Sequence, residues 1–178
     1  MAPITPFLFS CKTEVYFGSG AHQKLTTLLP SCTNSIVLLM GKSSKTSAPI
    51  RQLLTDSDCK YAPIICAAEP SISSVNAAWQ TVRHNDVNCV IACGGGSVID
   101  GTKFLSSAAL YKGDNPWDIL KNGIRTFEGL PFGTVLTLPA TGSEMNSGAV
   151  VTRKETGEKL GMGGPGLFPQ FSILDPQV

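Results

Sequence analysis

The chain has 178 residues, of which 42% are hydrophobic and only 15% are charged, and its net charge at pH 7 is +1. This length suits one domain with a sizeable core, and the near-neutral charge gives no general attraction for nucleic acid or for a membrane surface. The apolar runs are strand-sized and too short for a membrane span, and residues 1–10 lack the basic start and long apolar region of a secretory signal.

The cysteines and histidines limit the function classes further. No Cys-x-x-Cys pair occurs among the six cysteines, and Cys66, Cys89 and Cys93 lie in apolar runs, which predicts reduced, buried thiols in a cytoplasmic protein. The two histidines, His22 and His84, are far apart in unrelated contexts, so we assign no metal ligand to this chain.

The first predicted element is an edge strand at Thr13–Phe17, which ends at a glycine turn and leads into a short helix at Ala21–Leu29. From Ser35 onward, strands and helices alternate along the chain, which is typical of an α/β fold with a parallel sheet. The predicted elements are strand Ile36–Met40, turn Gly41–Ser44, helix Ala48–Asp56, strand Ala62–Ala67, helix Ser73–Asn85 and strand Asn88–Cys93.

Three consecutive glycines follow the last of these strands. Residues 90–92 form a continuous apolar run, which predicts a strand buried on both faces and places Gly94–Gly96 at the carboxyl edge, where open α/β sheets bind ligands. Ser97 and Asp100 have capping-box spacing, so we expect a helix to begin at Ser97 with its positive end toward the glycines, where a phosphate would be stabilised. The alternative is a glycine turn needed only for tight packing of the strand on the helix.

A second polar loop follows a later strand. Strand Gly133–Leu138 gives way to Ala140–Gly148, which is rich in hydroxyls and glycines and is expected at the same sheet edge as the first glycine turn. Thr141 and Glu144 also have capping-box spacing, and ordinary helix initiation would explain them. The remaining predicted elements are a connection at Lys112–Gly129 with one helical turn at Asp118–Leu120, a hairpin of Ala149–Arg153 and Lys159–Met162, and a last strand at Phe171–Leu174.

Five motifs in this order resemble the iron-containing (group III) alcohol dehydrogenases, and within them the NADPH-dependent butanol dehydrogenase or broad aldehyde reductase branch. The motifs are Phe17-Gly-x-Gly20, Gly94-Gly-Gly-Ser-Val-Ile-Asp-Gly-Thr-Lys103, Leu136-Thr-Leu-Pro-Ala-Thr-Gly-Ser-Glu144, Lys159 and Leu174-Asp-Pro176. The resemblance implies a Rossmann-like parallel sheet flanked by helices, as in the amino-terminal domain of dehydroquinate synthase, with an added β-hairpin. Residues 1–178 are then one nucleotide-binding domain, and the carboxyl-terminal helical domain that holds the metal through an Asp and three His is expected to be absent from this chain.

The same resemblance assigns cofactor-binding residues. Gly95, Gly96 and Ser97 match the pyrophosphate cradle, and Asp100 matches the acidic residue of that motif. The residues that match the loop at the nicotinamide and its ribose are Thr137, Leu138, Thr141 and Ser143. Lys159 matches a lysine that contacts the cofactor, and its alternative is a solvated hairpin lysine.

The turn after the first core strand predicts which nicotinamide is used. In this family it meets the adenosine ribose, where a carboxylate favours NAD and repels a 2′-phosphate. No acid occurs between Glu14 and Asp56, whereas Gly41, Lys42, Ser43, Ser44 and Lys45 supply positive charge and donors. We therefore expect NADP(H), although the turn looks shorter than in NADPH-preferring relatives and a merely solvated basic turn is the alternative.

The leading hypothesis is the NADP(H)-binding domain of an enzyme that interconverts primary alcohols and aldehydes by hydride transfer. Iron or zinc is expected only in the full-length enzyme, and the isolated chain is expected to be inactive because it lacks the family's metal ligands. We also consider a homodimer through the amino-terminal edge strand. The alternatives are a nucleotide-binding remnant without catalysis and a relative of the glycerol dehydrogenase or dehydroquinate synthase type.

Overall fold

The computed structural model describes residues 11–31, 33, 35–57, 59–66 and 72–178, with the side chains of residues 44, 72–75 and 77 outside the description. The strands within these residues are β1 (Glu14–Phe17), β2 (Ser35–Met40), β3 (Lys60–Ile65), β4 (Cys89–Gly94), β5 (Phe132–Leu136), β6 (Gly148–Arg153), β7 (Glu158–Gly163) and β8 (Phe171–Leu174). The helices are α1 (Leu25–Leu28), α2 (Ser44–Asp56), α3 (Ile72–His84), α4 (Gly96–Leu110) and α5 (Asp118–Lys121), with 3-10 turns at Ala21–Lys24 and Pro165–Leu167.

Six strands form one sheet in the order β1-β8-β5-β4-β2-β3, and every neighbouring pair is parallel. All residues of β4 and β5 are buried, as expected for strands covered on both faces. Strands β6 and β7, which come between β5 and β8 in the chain, form a separate antiparallel hairpin. The predicted Rossmann-like fold with an added hairpin is therefore confirmed.

Helices cover the two faces of the sheet. Ile50 and Leu54 of α2 pack with Leu38 and Ile91 on one face. On the other face, α3 and α4 pack on alternate residues of the same strands, including Val37. Consecutive strand residues point to opposite faces, so a strand between two helical layers needs apolar residues at every position.

Helix α4 is enclosed on nearly all sides. Residues 98–108 are buried, except that Asp100 is half-buried. Gly96 is half-buried and Ser97 is exposed at the start of the helix. The hairpin covers the side of α4 that faces away from the sheet, with Val151 fully buried against it. A helix that is buried all round carries few charges, which makes Asp100 and Lys103 exceptional positions.

Several predicted boundaries were wrong. Helix α2 begins at Ser44 rather than Ala48, because Thr46 and Ser47 donate to the carbonyl of Ser43 and wind the first turn earlier. Pro49 lies inside α2. Strand β5 ends at Leu136, two residues before the predicted end.

The remaining predictions from the sequence have the following outcomes. The first strand is an edge strand as predicted, and the helical turn at residues 118–121 is confirmed. The predicted end of the third strand, Ala67, and the segment tested for a secretory signal, residues 1–10, lie outside the described residues. The described cysteines, 11, 59, 66, 89 and 93, form no disulfide with one another, and burial raises the pKa of Cys93 to about 12. Among the described helices, none has the length and apolar character needed to cross a membrane.

Candidate functional site

The candidate site lies where β2, β4 and β5 end side by side. From β2 the chain passes outward to β3, and it then returns to place β4 on the other side of β2. This reversal makes the crevice between β2 and β4 the switch point of the sheet, where open α/β folds bind ligands. Backbone bonds continue past the strand ends: Gly41 N–H donates to Cys93 at 3.2 Å, and Thr137 N–H donates to Gly94 at 3.1 Å. The turns after the three strands are therefore held together.

The glycines at this edge are needed for different reasons. A Cβ on Gly94 would lie 2.6 Å from the Val98 side chain, and a Cβ on Gly96 would lie 2.4 Å from Thr141 Oγ1. Packing inside the protein therefore requires a glycine at both positions. Packing is thus a sufficient reason for glycine at these two positions.

Gly95 and Gly41 have no such packing reason. A Cβ on Gly95 would make only ordinary contact with Leu138, at 3.6 Å, and a Cβ on Gly41 would meet nothing within 4 Å. The backbone of Gly95 has a φ of −81°, which any residue adopts. The space that a side chain would take is open at both glycines, so the backbone of both turns could be approached closely by a ligand.

The start of α4 differs from the prediction. The helix begins at Gly96 with Gly95 as its N-cap, and the predicted capping box between Ser97 and Asp100 is wrong. Instead, Asp100 accepts hydrogen bonds from Ser143 Oγ at 2.9 Å and from the Val150 N–H at 3.0 Å. Ser97 is exposed at the beginning of the helix, where backbone N–H groups lack partners within the helix.

The polar loop after β5 contains no helix, so the second predicted capping box, from Thr141 to Glu144, is also wrong. Gly142 has a left-handed φ of 68°, and the Met145 N–H donates to the Gly142 carbonyl at 2.9 Å, which closes a turn. Thr141 Oγ1 lies 2.8 Å from Ser143 Oγ. Because Asp100 holds Ser143, the hydroxyls of this loop cap no helix and lie beside Gly96 at the crevice.

Lys103 was not predicted to have a role. Its side chain is fully buried, and its Nζ donates to Asn146 Oδ1 at 2.9 Å and to the Gly148 carbonyl at 2.7 Å. Burial lowers the pKa of Lys103 from 10.5 to about 8, while the nearby carboxylates of Asp100 and Glu144 act in the opposite direction. The signal in the sequence was a lysine placed three residues after Asp100 in an otherwise uncharged helix.

An open cavity of about 610 Å³ borders this arrangement. Among the predicted residues, Asp100, Thr141 and Ser143 line it, together with Asn146 and the facing strands of the hairpin. The loop at residues 123–125 closes the far side and brings Arg125, which sequence reasoning missed.

The other predicted residues are placed around this centre. Leu138 is 66% exposed beside Gly95. Lys42 and Ser43 are exposed next to Gly41, whereas the side chain of Ser44 lies outside the structure's description. Lys159 is exposed on β7, opposite Thr152, and is not among the residues that line the cavity. The structure thus brings the glycine turn and the polar loop together and leaves Lys159 outside the lining of the cavity.

The described residues contain no group of three or more His, Cys, Asp or Glu side chains that could hold a metal ion. His22 instead forms a structural link, because its Nδ1 lies 2.5 Å from Asp175 Oδ2 and its backbone N–H donates to the same oxygen at 3.0 Å. The hydrogen bonds from His22 help to lower the pKa of Asp175, against the opposing effect of burial.

Two curated proteins show high similarity to the chain. "Probable NADH-dependent butanol dehydrogenase 1" of Bacillus subtilis is 41% identical over 175 residues, which cover 96% of this chain and 45% of that protein. The NADPH-dependent aldehyde reductase YqhD of Escherichia coli is 37% identical over 170 residues, which cover 92% of this chain and 43% of that protein. The chain therefore spans a little under half the length of these relatives.

Solved structures give the same result. The crystal structure of YqhD from E. coli superposes with a TM-score of 0.87 at 36% identity, over 99% of this chain and 46% of that one. The structure of NADH-dependent butanol dehydrogenase A from Thermotoga maritima also gives a TM-score of 0.87, at 32% identity over 96% of this chain and 44% of that one. The family model of iron-containing alcohol dehydrogenases matches residues 12–176. The chain belongs to the iron-containing alcohol dehydrogenase family.

Proposed function

We propose that this chain binds NADP(H) across the carboxyl ends of β2, β4 and β5, and that it forms the nucleotide-binding part of an enzyme interconverting primary alcohols and aldehydes. One observation carries the proposal. Gly41 and Gly95 follow the neighbouring strands β2 and β4 at the switch point, and neither needs to be glycine for packing or for its backbone angles. Free space beside two adjacent backbone turns is what a pyrophosphate requires.

The residues present fit a dinucleotide. Gly95, Gly96 and Ser97 lie at the start of the fifteen-residue helix α4, whose first N–H groups and positive dipole end suit a phosphate. Thr137, Leu138, Thr141 and Ser143 continue from the same edge and would hold the nicotinamide and its ribose. Lys159 is not among the residues that line the cavity, so its role rests on the family resemblance alone.

A bound nicotinamide supplies the hydride chemistry, and the protein supplies binding and orientation. The chain's own residues act on the cofactor in two ways. The Gly95–Ser97 turn would bind the pyrophosphate of the cofactor. The exposed apolar side chain of Leu138 offers a surface that would exclude water from one side of the nicotinamide ring. The polar loop would hold the nicotinamide ribose between these two contacts.

The choice between NADPH and NADH rests on the turn after β2. Relatives of both kinds occur, since the E. coli protein is named as NADPH-dependent and a Clostridium acetobutylicum butanol dehydrogenase as NADH-dependent. In this chain the first turn of α2 contains no acid, and Lys42, Ser43 and Lys45 are exposed there. A 2′-phosphate would meet positive charge and donors without repulsion. We therefore assign NADP(H) as the preferred cofactor.

Gly95→Ala tests the site directly. The new Cβ fits the fold but fills the space beside the turn, so the Kd for NADPH is expected to rise at least tenfold, about 1.4 kcal/mol. Fluorescence titration measures the Kd, and circular dichroism with thermal unfolding checks that the variant folds like the wild type. Unchanged NADPH affinity in a folded Gly95→Ala protein would contradict the proposal that the backbone of this turn approaches the pyrophosphate.

We also propose that two copies of the chain pair through β1, which is an edge strand of the described sheet. Glu14 and Gly18 direct their N–H groups to the β8 side, so by alternation Val15 and Phe17 direct theirs outward. Phe17 is also 77% exposed. Val15→Pro removes one outward N–H and should convert a dimer into a monomer in analytical ultracentrifugation. A wild-type chain that stays monomeric at its highest soluble concentration would exclude this assembly.

A further inference from the structure

We propose that Lys103 and Asp100 are a pair of positioning residues, which hold the polar loop Ala140–Gly148 in a fixed position beside the glycine turn. The inference rests on the proposed function, because the loop is the part of the site assigned to the nicotinamide end of the cofactor. Both residues are proposed to act by holding the loop.

The two side chains lie one turn apart on α4 and bind complementary groups. Asp100 accepts from Ser143 Oγ and from the Val150 N–H. Lys103 donates to Asn146 Oδ1 and to the Gly148 carbonyl. Asp100 therefore accepts from two donors, and Lys103 donates to two acceptors, within one eight-residue stretch from Ser143 to Val150. Both ends of the loop are tied to the helix that begins at the glycine turn.

A merely structural lysine would explain these contacts less well. A fully buried amine has a desolvation cost, and an apolar side chain of similar length would fill the same space without it. The hydrogen bonds of Lys103 Nζ end on Asn146 of the loop and on Gly148, where the loop passes into β6. The amine is thus placed to fix the loop.

The loop in turn determines the surface beside the glycines. Thr141 Oγ1 occupies the space that a side chain on Gly96 would take, and Asn146 Nδ2 donates to the Thr141 carbonyl at 3.5 Å. If Asn146 is released, Thr141 loses a support on the side away from the glycine turn. The Gly41 turn on the opposite side of the crevice depends on neither Lys103 nor Asn146.

Because the Gly41 turn does not depend on Lys103, loss of this lysine should weaken binding of the nicotinamide half of the cofactor and spare the adenosine half. Lys103→Met keeps a long apolar side chain and removes both bonds to the loop, and Lys112→Met removes the same charge from an exposed position just beyond α4 as the matched control. For Lys103→Met, the Kd for NADPH is expected to rise at least tenfold. The Kd for adenosine 2′,5′-bisphosphate, which has no nicotinamide half, should stay within twofold of wild type. Lys112→Met should change neither Kd.

Hydrogen exchange provides a readout that needs no ligand. In Lys103→Met, the amide of Val150 and the amides of residues 143–148 should exchange at least tenfold faster, while those of β4 stay protected. Asn146→Ala is the second variant, since it removes one of the same bonds from an exposed position and leaves the core intact.

The outcomes separate the two proposals. If wild type binds neither NADPH nor the bisphosphate, the proposed function fails, and the exchange measurement still decides the role of Lys103. Equal exchange in wild type, Lys103→Met and Asn146→Ala would overturn the positioning role. So would an equal loss of both ligands from a folded Lys103→Met protein, because the lysine would then support the whole site rather than the loop.

Discussion

At the scale of single residues, the buried amine of Lys103 makes the stability of the chain depend on pH. Burial lowers its pKa from 10.5 to about 8. Below pH 8 the amine is charged in the folded and the unfolded state, so the folded state bears the full desolvation cost. Between pH 8 and 10.5 the folded state has lost this proton and the unfolded state keeps it. The free energy of unfolding therefore rises with pH there, by up to about 1.4 kcal/mol per pH unit.

Urea denaturation at several pH values between 7 and 10 measures this effect, with Lys103→Met as the reference. The wild-type value minus the variant value should increase with pH, since all other titrating groups are common to both proteins. A neutral amine still has two N–H donors for Asn146 and Gly148, so the loop should remain in place. A difference that does not change with pH would contradict a buried, shifted amine.

A second residue, Ser43, tests the cofactor preference. It is the exposed N-cap of α2, and its side chain makes no capping bond. Ser43→Asp introduces a carboxylate that a helix N-terminus tolerates well but that repels a 2′-phosphate. The wild type should bind NADPH at least tenfold more tightly than NADH, about 1.4 kcal/mol, and Ser43→Asp should reverse this order.

Ser43→Asn is the matched control, because it has nearly the same shape as the aspartate and no charge. It should keep the preference for NADPH in the same fluorescence titration at fixed ionic strength. Equal or tighter binding of NADH by the wild-type chain would show that the basic turn is only solvated.

At the scale of elements, the strands were predictable because their signals are local. A continuous apolar run such as residues 89–93 has few alternatives to a buried parallel strand, and β4 proved to be buried at every position. Its neighbours β2 and β5 followed from the same pattern. The meeting of two polar loops at one sheet edge was also predictable, since parallel strands end at the same side.

The helix starts were less predictable, because they depend on partners far away in the sequence. Asp100 has the spacing of a capping residue for Ser97, but Ser143 and Val150 supply its donors. Thr141 and Glu144 have the same spacing, but a left-handed Gly142 and the bond to Asp100 favour a turn. A spacing rule cannot distinguish a local acceptor from one that the fold brings in.

The role of Lys103 could not be derived from the sequence for a related reason. A lysine in a helix is usually exposed, and nothing local indicates that the hairpin covers α4 on the side away from the sheet. Only the packed hairpin buries the amine and brings Asn146 and Gly148 within reach. Contacts between distant segments are therefore what the structure adds to the site.

At the scale of the whole molecule, the two ends of the parallel sheet carry different features. The carboxyl end holds the glycine turn, the Gly41 turn and the polar loop. The amino end holds a different cavity of about 350 Å³, lined by Phe127, Leu130, Phe132 and Gln170 among others. The central claim is that NADPH binds at the carboxyl end, across three neighbouring strands.

The measurement that tests this claim most directly is an NMR titration of the isotope-labelled chain with NADPH. The amides expected to shift are those of residues 41–43, 95–97 and 138–143, which follow β2, β4 and β5. The amides around Phe127 and Leu130 at the amino end should stay unchanged. Two results would contradict binding at the carboxyl end: amide shifts confined to the cavity at the amino end of the sheet, or no shift after any of the three strands at saturating NADPH.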